Sequence, residues 1–246
     1  MLLTFLYHRV NNGKYATNKD IMKKHLIYLS QNYKIVTPSD RISPFKLNLC
    51  LSFDDGYFDF YKYVFPILKE LNIKALLAIP IRYILESTNI DHNTRLSVAY
   101  HDAMKGDVFI KKAPFCTWQE IKEMVDSNLV EIASHSYSHK NLLEKDIDLD
   151  NEIITSKKIL EEKLKIQINT FVYPLGKFNK EIHNAVKKHY KYAMRIGSAI
   201  NFSWQNITKI TYRIISDNIT KENEHFTLKR FISYFWFFFL NTFRKR

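Results

Sequence analysis

Two carboxylates and two imidazoles stand in patterns that suit a metal-dependent hydrolase. Asp54 and Asp55 are adjacent and precede Gly56, and His135 and His139 are four residues apart in the segment His-Ser-Tyr-Ser-His. Two histidines and one carboxylate are sufficient protein ligands for a catalytic Zn²⁺, which keeps open positions for water and substrate. Because the side chains of adjacent residues diverge, one aspartate can bind metal while the other acts as a general base. Taken separately, the pairs also fit surface or capping histidines and the acids of a helix-capping turn.

The segments around these residues predict an α/β fold. Apolar runs with little alternation are typical of parallel strands buried on both faces, and they alternate here with segments of helical spacing. The predicted strands are Leu2–Tyr7, Tyr33–Thr37, Leu47–Phe53, Lys74–Pro80, Val130–Ser134, Ile168–Tyr173, Tyr192–Ile196 and Ile210–Ile215. The predicted helices are Lys19–Asn32, Tyr57–Leu71, Thr117–Asn128, Asp150–Leu164 and Lys180–His189. Residues 87–114 interrupt the alternation and predict an inserted loop with at most a short helix.

A third polar cluster, Tyr173-Pro174-Leu175-Gly176, also follows a predicted strand. The carboxyl ends of parallel strands share one face, and in α/β folds that face carries the active site. The three clusters, which end at Gly56, His139 and Gly176, are distant in sequence. We therefore expect them to converge at one end of the sheet.

The sequence resembles the polysaccharide deacetylases, the NodB-homology domain of carbohydrate esterase family four. The resemblance rests on three motifs, Phe53-Asp54-Asp55-Gly56, His135-Ser-Tyr-Ser-His139 and Tyr173-Pro174-Leu175-Gly176, and it spans roughly residues 1–215. It implies a distorted (β/α) barrel of about seven strands. It also implies metal-dependent removal of acetyl from an N-acetylated sugar, or sometimes from an O-acetylated one.

The resemblance assigns roles to the residues of the first two motifs. By position in the motif, Asp54 is expected to be the general base, and Asp55, His135 and His139 are expected to hold one divalent metal ion. Histidine and carboxylate ligands suit Zn²⁺, and they also accept Co²⁺, Ni²⁺, Mn²⁺ or Fe²⁺.

The segment Tyr7-His8-Arg9-Val10 resembles the opening of a branch that includes the poly-N-acetylglucosamine deacetylases. In that branch the motif order is permuted, and a histidine on the first strand supplies the general acid. The resemblance therefore makes His8 the general acid. The alternative is a histidine that only packs at the end of a strand.

The third motif departs from the family pattern. Most members carry an arginine at the position of Val172, where it pairs with the catalytic aspartate, and an aromatic residue at the position of Leu175. The missing charge is expected from Arg213 or Arg9. Tyr173, Pro174 and Leu175 are expected to contact substrate, and the backbone N–H of Leu175 can still stabilise an oxyanion because that donor does not depend on the side chain.

The composition limits the class of protein and its partners. The chain has 246 residues, of which 46% are hydrophobic, and two cysteines, which cannot build a disulfide framework. Its net charge of +12 leaves nucleic acid, anionic lipid and acidic glycans as possible partners. No nucleic-acid-binding motif accompanies the charge, so we expect no nucleic acid partner.

The last part of the chain predicts a separate membrane contact. Residues 1–220 are expected to form the barrel, and residues 221–246 a basic aromatic tail. Its apolar run, Phe231–Phe243, is shorter than the roughly 20 residues of a spanning helix. Because Lys229-Arg230 and Arg244-Lys245-Arg246 flank the run, it predicts a helix on an anionic membrane surface. The alternatives are a last helix packed on the barrel and a partner-binding helix.

The beginning of the chain lacks the basic segment and the cleavage site of a secretory signal, which predicts a cytoplasmic position on the inner membrane. The expected function is N-deacetylation of an N-acetylhexosamine in a cell-envelope glycan or in a lipid-linked precursor, for example of lipid A. The membrane contact favours the lipid-linked sugar over an exported polymer. The alternatives are an O-acetyl esterase or another carbon–nitrogen hydrolase on the same barrel, and a non-catalytic barrel that binds glycan or lipid.

Overall fold

The computed structural model describes residues 1–11 and 13–243. The strands of this part of the chain are β1 (Leu2–Tyr7), β2 (Arg9–Val10), β3 (Ala16–Thr17), β4 (Lys34–Ile35), β5 (Asn48–Phe53), β6 (Ala75–Ile79), β7 (Val130–Ser134), β8 (Thr170–Val172), β9 (Tyr192–Ile196) and β10 (Thr211–Ile215). Seven of them are parallel and pair in the order β1-β10-β9-β8-β7-β6-β5, and β5 pairs with β1 to close the barrel. The structure thus confirms the predicted seven-stranded (β/α) barrel.

Helices follow most of the barrel strands. They are α1 (Lys19–Asn32), α2 (Phe65–Leu71), α3 (His92–Ser97), α4 (Val108–Lys112), α5 (Trp118–Asp126), α6 (Ser156–Leu164), α7 (Lys180–His189) and α8 (Leu228–Phe243). Two π-helical turns, Phe60–Val64 and Asn151–Thr155, run directly into α2 and α6. The predicted helices over 57–71 and 150–164 therefore each form as a π turn followed by an α-helix.

The barrel strands are buried on both faces. Leu3, Phe5 and Tyr7 of β1 pack in the larger apolar cluster, together with the helices. Small and medium side chains from six strands form a second cluster inside the barrel, among them Leu2, Cys50, Leu76, Ala78, Ala133, Val172 and Met194. Because both faces of each strand meet apolar neighbours, the sequence shows continuous apolar runs in place of alternation.

Two predicted segments differ from the structure. The predicted strand over 33–37 is reduced to β4, which pairs with the start of β5 (Lys34 opposite Asn48) and lies outside the closed barrel. The insertion 87–114 is a folded segment that contains α3 and α4. Arg95 fixes it, since its guanidinium bonds both carboxylate oxygens of Glu120 at 2.7 and 2.9 Å and lies 3.5 Å from the centre of the Phe58 ring.

The segment after residue 220 packs against the barrel, in contrast to the predicted separate tail. His225 stacks on Phe5 of β1 with ring centres 4.7 Å apart, and Tyr234 and Phe238 of α8 are buried. Asn241 donates from Nδ2 to the carbonyl oxygen of Gly197 at 2.8 Å. The described part of this segment, up to residue 243, is thus the last helical layer of the barrel. The predicted basic residues Arg244, Lys245 and Arg246 lie outside the described residues.

None of the helices within residues 1–11 and 13–243 combines the length and the apolar character that crossing a membrane requires.

Candidate active site

A left-handed turn at the end of β5 separates the two adjacent aspartates. Asp55 and Gly56 have φ angles of +68° and +67°, a region that non-glycine residues adopt at a cost. A Cβ atom at position 56 would lie 2.5 Å from Cγ2 of Ile79, so only glycine fits there. The turn directs the carboxylates of Asp54 and Asp55 to different partners.

Asp55 converges with the two histidines that follow β7. Its Oδ1 lies 3.6 Å from Nε2 of His135 and 3.2 Å from Nε2 of His139. Both carboxylate oxygens of Asp55 are buried, and neither has a hydrogen-bond partner among the described residues. A buried carboxylate without a partner is costly unless a cation completes the site.

The protonation of the histidines suits metal binding. Nδ1 of His135 donates to the carbonyl oxygen of Val172 at 2.8 Å, which leaves the lone pair of Nε2 facing Asp55. Burial lowers the pKa of His135 and His139 to about 4, so both rings are neutral at physiological pH. The three residues therefore fit a divalent cation, and their donor set suits Zn²⁺ and does not exclude Co²⁺, Ni²⁺, Mn²⁺ or Fe²⁺.

Asp54 forms a buried ion pair with an arginine from the opposite end of the sequence. Nη1 and Nη2 of Arg213, on β10, donate to the two carboxylate oxygens of Asp54 at 2.6 and 2.9 Å. Nη1 also donates to Oγ of Ser52 at 3.1 Å. Burial alone would raise the pKa of Asp54, but the Arg213 charge outweighs it and brings the pKa to about 2. Asp54 is therefore an oriented anion at neutral pH.

Arg9, the other predicted charge partner, lies elsewhere. Its Nε donates to Oδ2 of Asp59 at 3.0 Å, and its Nη1 donates to the carbonyl oxygen of Val98 at 2.7 Å. Its guanidinium lies 4.7 Å from the centre of the Tyr57 ring. Arg9 therefore forms its ion pair with Asp59 and not with Asp54. Its bond to Val98 stabilises the insertion 87–114.

His8 lies on the same face, at the end of β1, and is held by Asp217. Its Nδ1 donates to Oδ2 of Asp217 at 2.8 Å, and its backbone N–H donates to Oδ1 at 2.9 Å. Burial lowers the pKa of His8, but the hydrogen bond and the charge of Asp217 outweigh this effect and raise it to about 9. His8 is therefore protonated at neutral pH. Sequence reasoning missed Asp217, although it lies two residues after the end of β10, a position comparable with that of Asp54 after β5.

Residues of the third motif occupy different positions. The hydroxyl of Tyr173 hydrogen-bonds Nδ1 of His183 at 2.7 Å and is not free to bond substrate, whereas its ring lines the pocket. Pro174 is buried in the turn. Leu175 has a φ angle of +56°, is 55% exposed and lies at the rim of the pocket. Tyr173 and Leu175 thus line the pocket, and Leu175 is the exposed residue of the three.

Glu152 holds the loop that carries the histidines, and sequence reasoning missed this residue as well. Its Oε2 accepts from the backbone N–H of Tyr137 and Ser138 at 3.0 and 2.9 Å, and its Oε1 accepts from the Ser138 hydroxyl. The backbone N–H of His139 donates to Oγ of Ser136 at 3.1 Å. The buried Glu152 carboxylate therefore fixes the loop that brings His139 back toward Asp55.

Several of these groups open onto one pocket of about 490 Å³. Its lining combines the polar side chains of His8, Asp54, His135 and His139 with aromatic and apolar side chains, which include Tyr15, Tyr100, Met104, Leu175, Ile196 and Ile215. The pocket is large enough for a small ligand, and such sites combine apolar walls with a few polar groups.

Comparison with known proteins finds one matching family model and several similar proteins. A family model described as polysaccharide deacetylase matches residues 45–193. The chain is 24% identical over 193 residues to the Putative polysaccharide deacetylase YxkH of Bacillus subtilis, covering 74% of this chain and 60% of that protein. It is 36% identical over 88 residues to the poly-beta-1,6-N-acetyl-D-glucosamine N-deacetylase of Escherichia coli K12, covering 36% of this chain and 12% of that protein.

A solved structure with the same fold is IcaB from Ammonifex degensii. It superposes with a TM-score of 0.71 at 20% identity, over 87% of this chain and 91% of the IcaB chain. At this identity the likeness establishes the shared fold.

Proposed function

The chain belongs to the polysaccharide deacetylase family, and on that basis we propose that it is a metal-dependent hydrolase that removes the N-acetyl group from an N-acetylhexosamine. The observation that carries the proposal is the buried, unpartnered Asp55 carboxylate facing Nε2 of His135 and His139. The similarity of 88 residues to an N-deacetylase of poly-N-acetylglucosamine supports an amide substrate over an ester.

Asp55, His135 and His139 would hold the cation. A divalent cation, when bound, polarises a carbonyl oxygen as a Lewis acid and lowers the pKa of water. The neutral state of both histidines keeps their Nε2 lone pairs available without loss of a proton at physiological pH. Glu152 supports the site by fixing the loop between the two histidines.

Asp54 and His8 divide the proton transfers between them. Asp54 is ionised and oriented by Arg213, so it accepts the proton of the attacking water. His8 is protonated, and because Asp217 binds its Nδ1, its Nε2–H is the proton that it gives to the departing amine. The N–H of Leu175, at the pocket rim, is the donor we assign to the developing oxyanion. The products are acetate and a free amino sugar.

The outer face of α8 supports a membrane contact. Ile232, Trp236, Phe239 and Phe243 recur at helical spacing and are 63, 62, 53 and 73% exposed. The exposed Lys229 and Arg230 precede them, and the chain as a whole carries +12. Aromatic side chains beside basic residues are typical of helices that lie on anionic lipid. We infer that this aromatic stripe (Ile232, Trp236, Phe239 and Phe243) rests on an anionic membrane surface.

The direction of α8 relates the stripe to the pocket. Asn241, near its end, bonds to Gly197, which follows the carboxyl end of β9, and Ile196 of β9 lines the pocket. The end of α8 therefore lies close to the end of β9, and this position supports a lipid-linked sugar as substrate. The cytoplasmic position on the inner membrane stays a prediction.

Flotation with vesicles tests the membrane contact. The double variant Trp236→Ser/Phe239→Ser should float less with anionic vesicles than the wild type, while Phe45→Ser, which removes an aromatic residue that is 95% exposed elsewhere, should float normally. Salt should weaken the electrostatic part of the binding and leave the aromatic part. Equal flotation of all three proteins would reject the stripe as a membrane contact.

An assay of released acetate tests the reaction. The metal-loaded protein is incubated with N-acetylglucosamine oligomers, with a lipid-linked N-acetylhexosamine and with an O-acetylated sugar. We expect acetate and a free amine from the N-acetylated substrates. Acetate from the O-acetylated sugar alone would establish the esterase, and binding without acetate from any substrate would establish the non-catalytic barrel.

A further inference from the structure

The insertion 87–114 supplies one wall of the pocket. It is fixed to the loop after β5 at two points, because the hydroxyl of Tyr57 donates to the carbonyl oxygen of Tyr100 at 3.2 Å and the N–H of Phe58 donates to the carbonyl oxygen of Pro114 at 2.8 Å. Arg95 secures its other side to Glu120. The wall is therefore built onto the same loop that carries the two aspartates.

Tyr100 of this wall and Tyr15, which directly precedes β3, form an aromatic pair beside His8. The rings of Tyr15 and Tyr100 have centres 4.8 Å apart and meet edge to face at 68°. The His8 ring lies 5.6 Å from Tyr15 and 5.9 Å from Tyr100. Both tyrosines line the pocket and are half-buried. A ligand in the pocket beside His8 can therefore contact these rings.

Tyr15 occupies its place in the pair through an unfavourable backbone conformation. Its φ angle is +56°, which is uncommon for a bulky side chain. The conformation is held by the N–H of Arg9, which donates to the carbonyl oxygen of Tyr15 at 3.0 Å. Strained residues of this kind concentrate at ligand sites, where the surrounding structure retains them for the placement of a side chain.

Tyr100 adds a hydrogen-bond donor to the wall. Tyr100 and His8 line the same pocket, and a phenol hydroxyl carries its proton at neutral pH. A phenol in this position can donate to a ligand oxygen that lies between it and His8.

We propose that Tyr15 and Tyr100 form a subsite for the pyranose ring of the N-acetylated sugar. Their rings contact the C–H face of the sugar, because the negative face of an aromatic ring attracts weakly positive hydrogens. The Tyr100 hydroxyl donates to a sugar oxygen. The inference rests on the proposed function, since the subsite binds the sugar ring of the same N-acetylated substrate.

Binding of the N-acetylglucosamine trisaccharide, measured by titration calorimetry, tests the subsite apart from turnover. The measurements use Asp54→Asn protein, so that the ligand is not consumed. We expect Tyr15→Ala and Tyr100→Ala to weaken binding at least tenfold, with unchanged metal content. Tyr100→Phe keeps the ring and loses the hydroxyl, so it should fall between Tyr100→Ala and the parent protein. Tyr61→Ala, which removes a tyrosine outside the pocket, should bind like the parent.

The outcomes separate the subsite from the reaction. Parent binding that the two alanine variants lose supports the subsite even if the protein releases no acetate. Normal acetate release, with unchanged trisaccharide binding and KM in Tyr15→Ala and Tyr100→Ala, overturns the subsite and leaves the deacetylase standing. The subsite is also overturned if the Asp54→Asn parent protein binds no N-acetylated sugar. If an alanine variant fails to fold, trisaccharide binding by Tyr100→Phe is the deciding measurement. Binding as tight as that of the parent protein refutes the contact between the Tyr100 hydroxyl and the sugar.

Discussion

Replacement of Asp217 by Asn should change how the activity depends on pH. Asp217 is the main group that raises the pKa of His8 to about 9. Its hydrogen bond at Oδ2, 2.8 Å from Nδ1 of His8, is the contact that the substitution changes. Asn keeps an oxygen for the backbone N–H of His8 and removes the charge, so the pKa of His8 should return to about 6.5, the ordinary value of histidine.

The size of the effect follows from the fraction of His8 that carries the proton. At pH 8 a histidine with a pKa of about 9 is roughly nine-tenths protonated, whereas one with a pKa of about 6.5 is protonated to about 3%. Acetate release by Asp217→Asn should therefore fall about 30-fold at pH 8, and less than about twofold at pH 6. Asp55 and Asp54 also raise the pKa of His8, by less than Asp217 does. A cation bound at Asp55 would offset these smaller contributions to the pKa, and the contribution of Asp217 would remain.

The assay is a pH profile of kcat/KM from pH 5.5 to pH 9.5, with metal content and melting temperature checked at each end. Asp107→Asn is the control, since Asp107 pairs with Lys111 on the surface. The alkaline limb of the profile should move to lower pH in Asp217→Asn alone. An equal loss at every pH would mean that Asp217 only positions His8, and an unchanged profile would remove His8 from the role of acid.

Further variants test the base, the turn and the last helix. Asp54→Asn should keep the metal, measured by elemental analysis, and lose about 10²–10⁴-fold in kcat; near-full activity would place the base elsewhere. Gly56→Ala should cost about 1–3 kcal/mol in a denaturant titration, because its Cβ meets Ile79 at 2.5 Å and its φ angle is positive; wild-type stability would refute the packing argument. Truncation after Asn223 should unfold or aggregate the protein, because it uncovers Phe5 on β1; a folded truncated form, measured by circular dichroism, would restore the separate tail.

The barrel could be predicted because its strands carry a strong local signal. Burial on both faces requires continuous apolar runs, and such runs are visible without knowledge of what they pack against. The same reasoning placed Asp54, Asp55 and the two histidines on one face, since each group directly follows a strand. The helices of the insertion were harder to predict from the sequence, because α3 and α4 have only six and five residues and show little periodicity.

Contacts between distant parts of the chain could not be predicted in the same way. Arg213 and Asp54 are 159 residues apart, and Asp217 and His8 are 209 residues apart. The pairing of β1 with both β10 and β5 brings both pairs together, and a lone charged residue near a strand end does not identify its partner. The packed face of α8 could not be recognised from the sequence, because aromatic residues occupy both its packed and its exposed faces.

Metal titration of the stripped protein tests the central claim most directly. The protein is treated with a chelator, Zn²⁺ is added in steps, and acetate released from N-acetylglucosamine oligomers is followed together with the bound metal. Acetate release should rise with bound metal and saturate at about one ion per chain, while His139→Ala should neither retain the ion nor release acetate. Full activity of the metal-free protein, or an ion bound equally well by His139→Ala, would contradict the account.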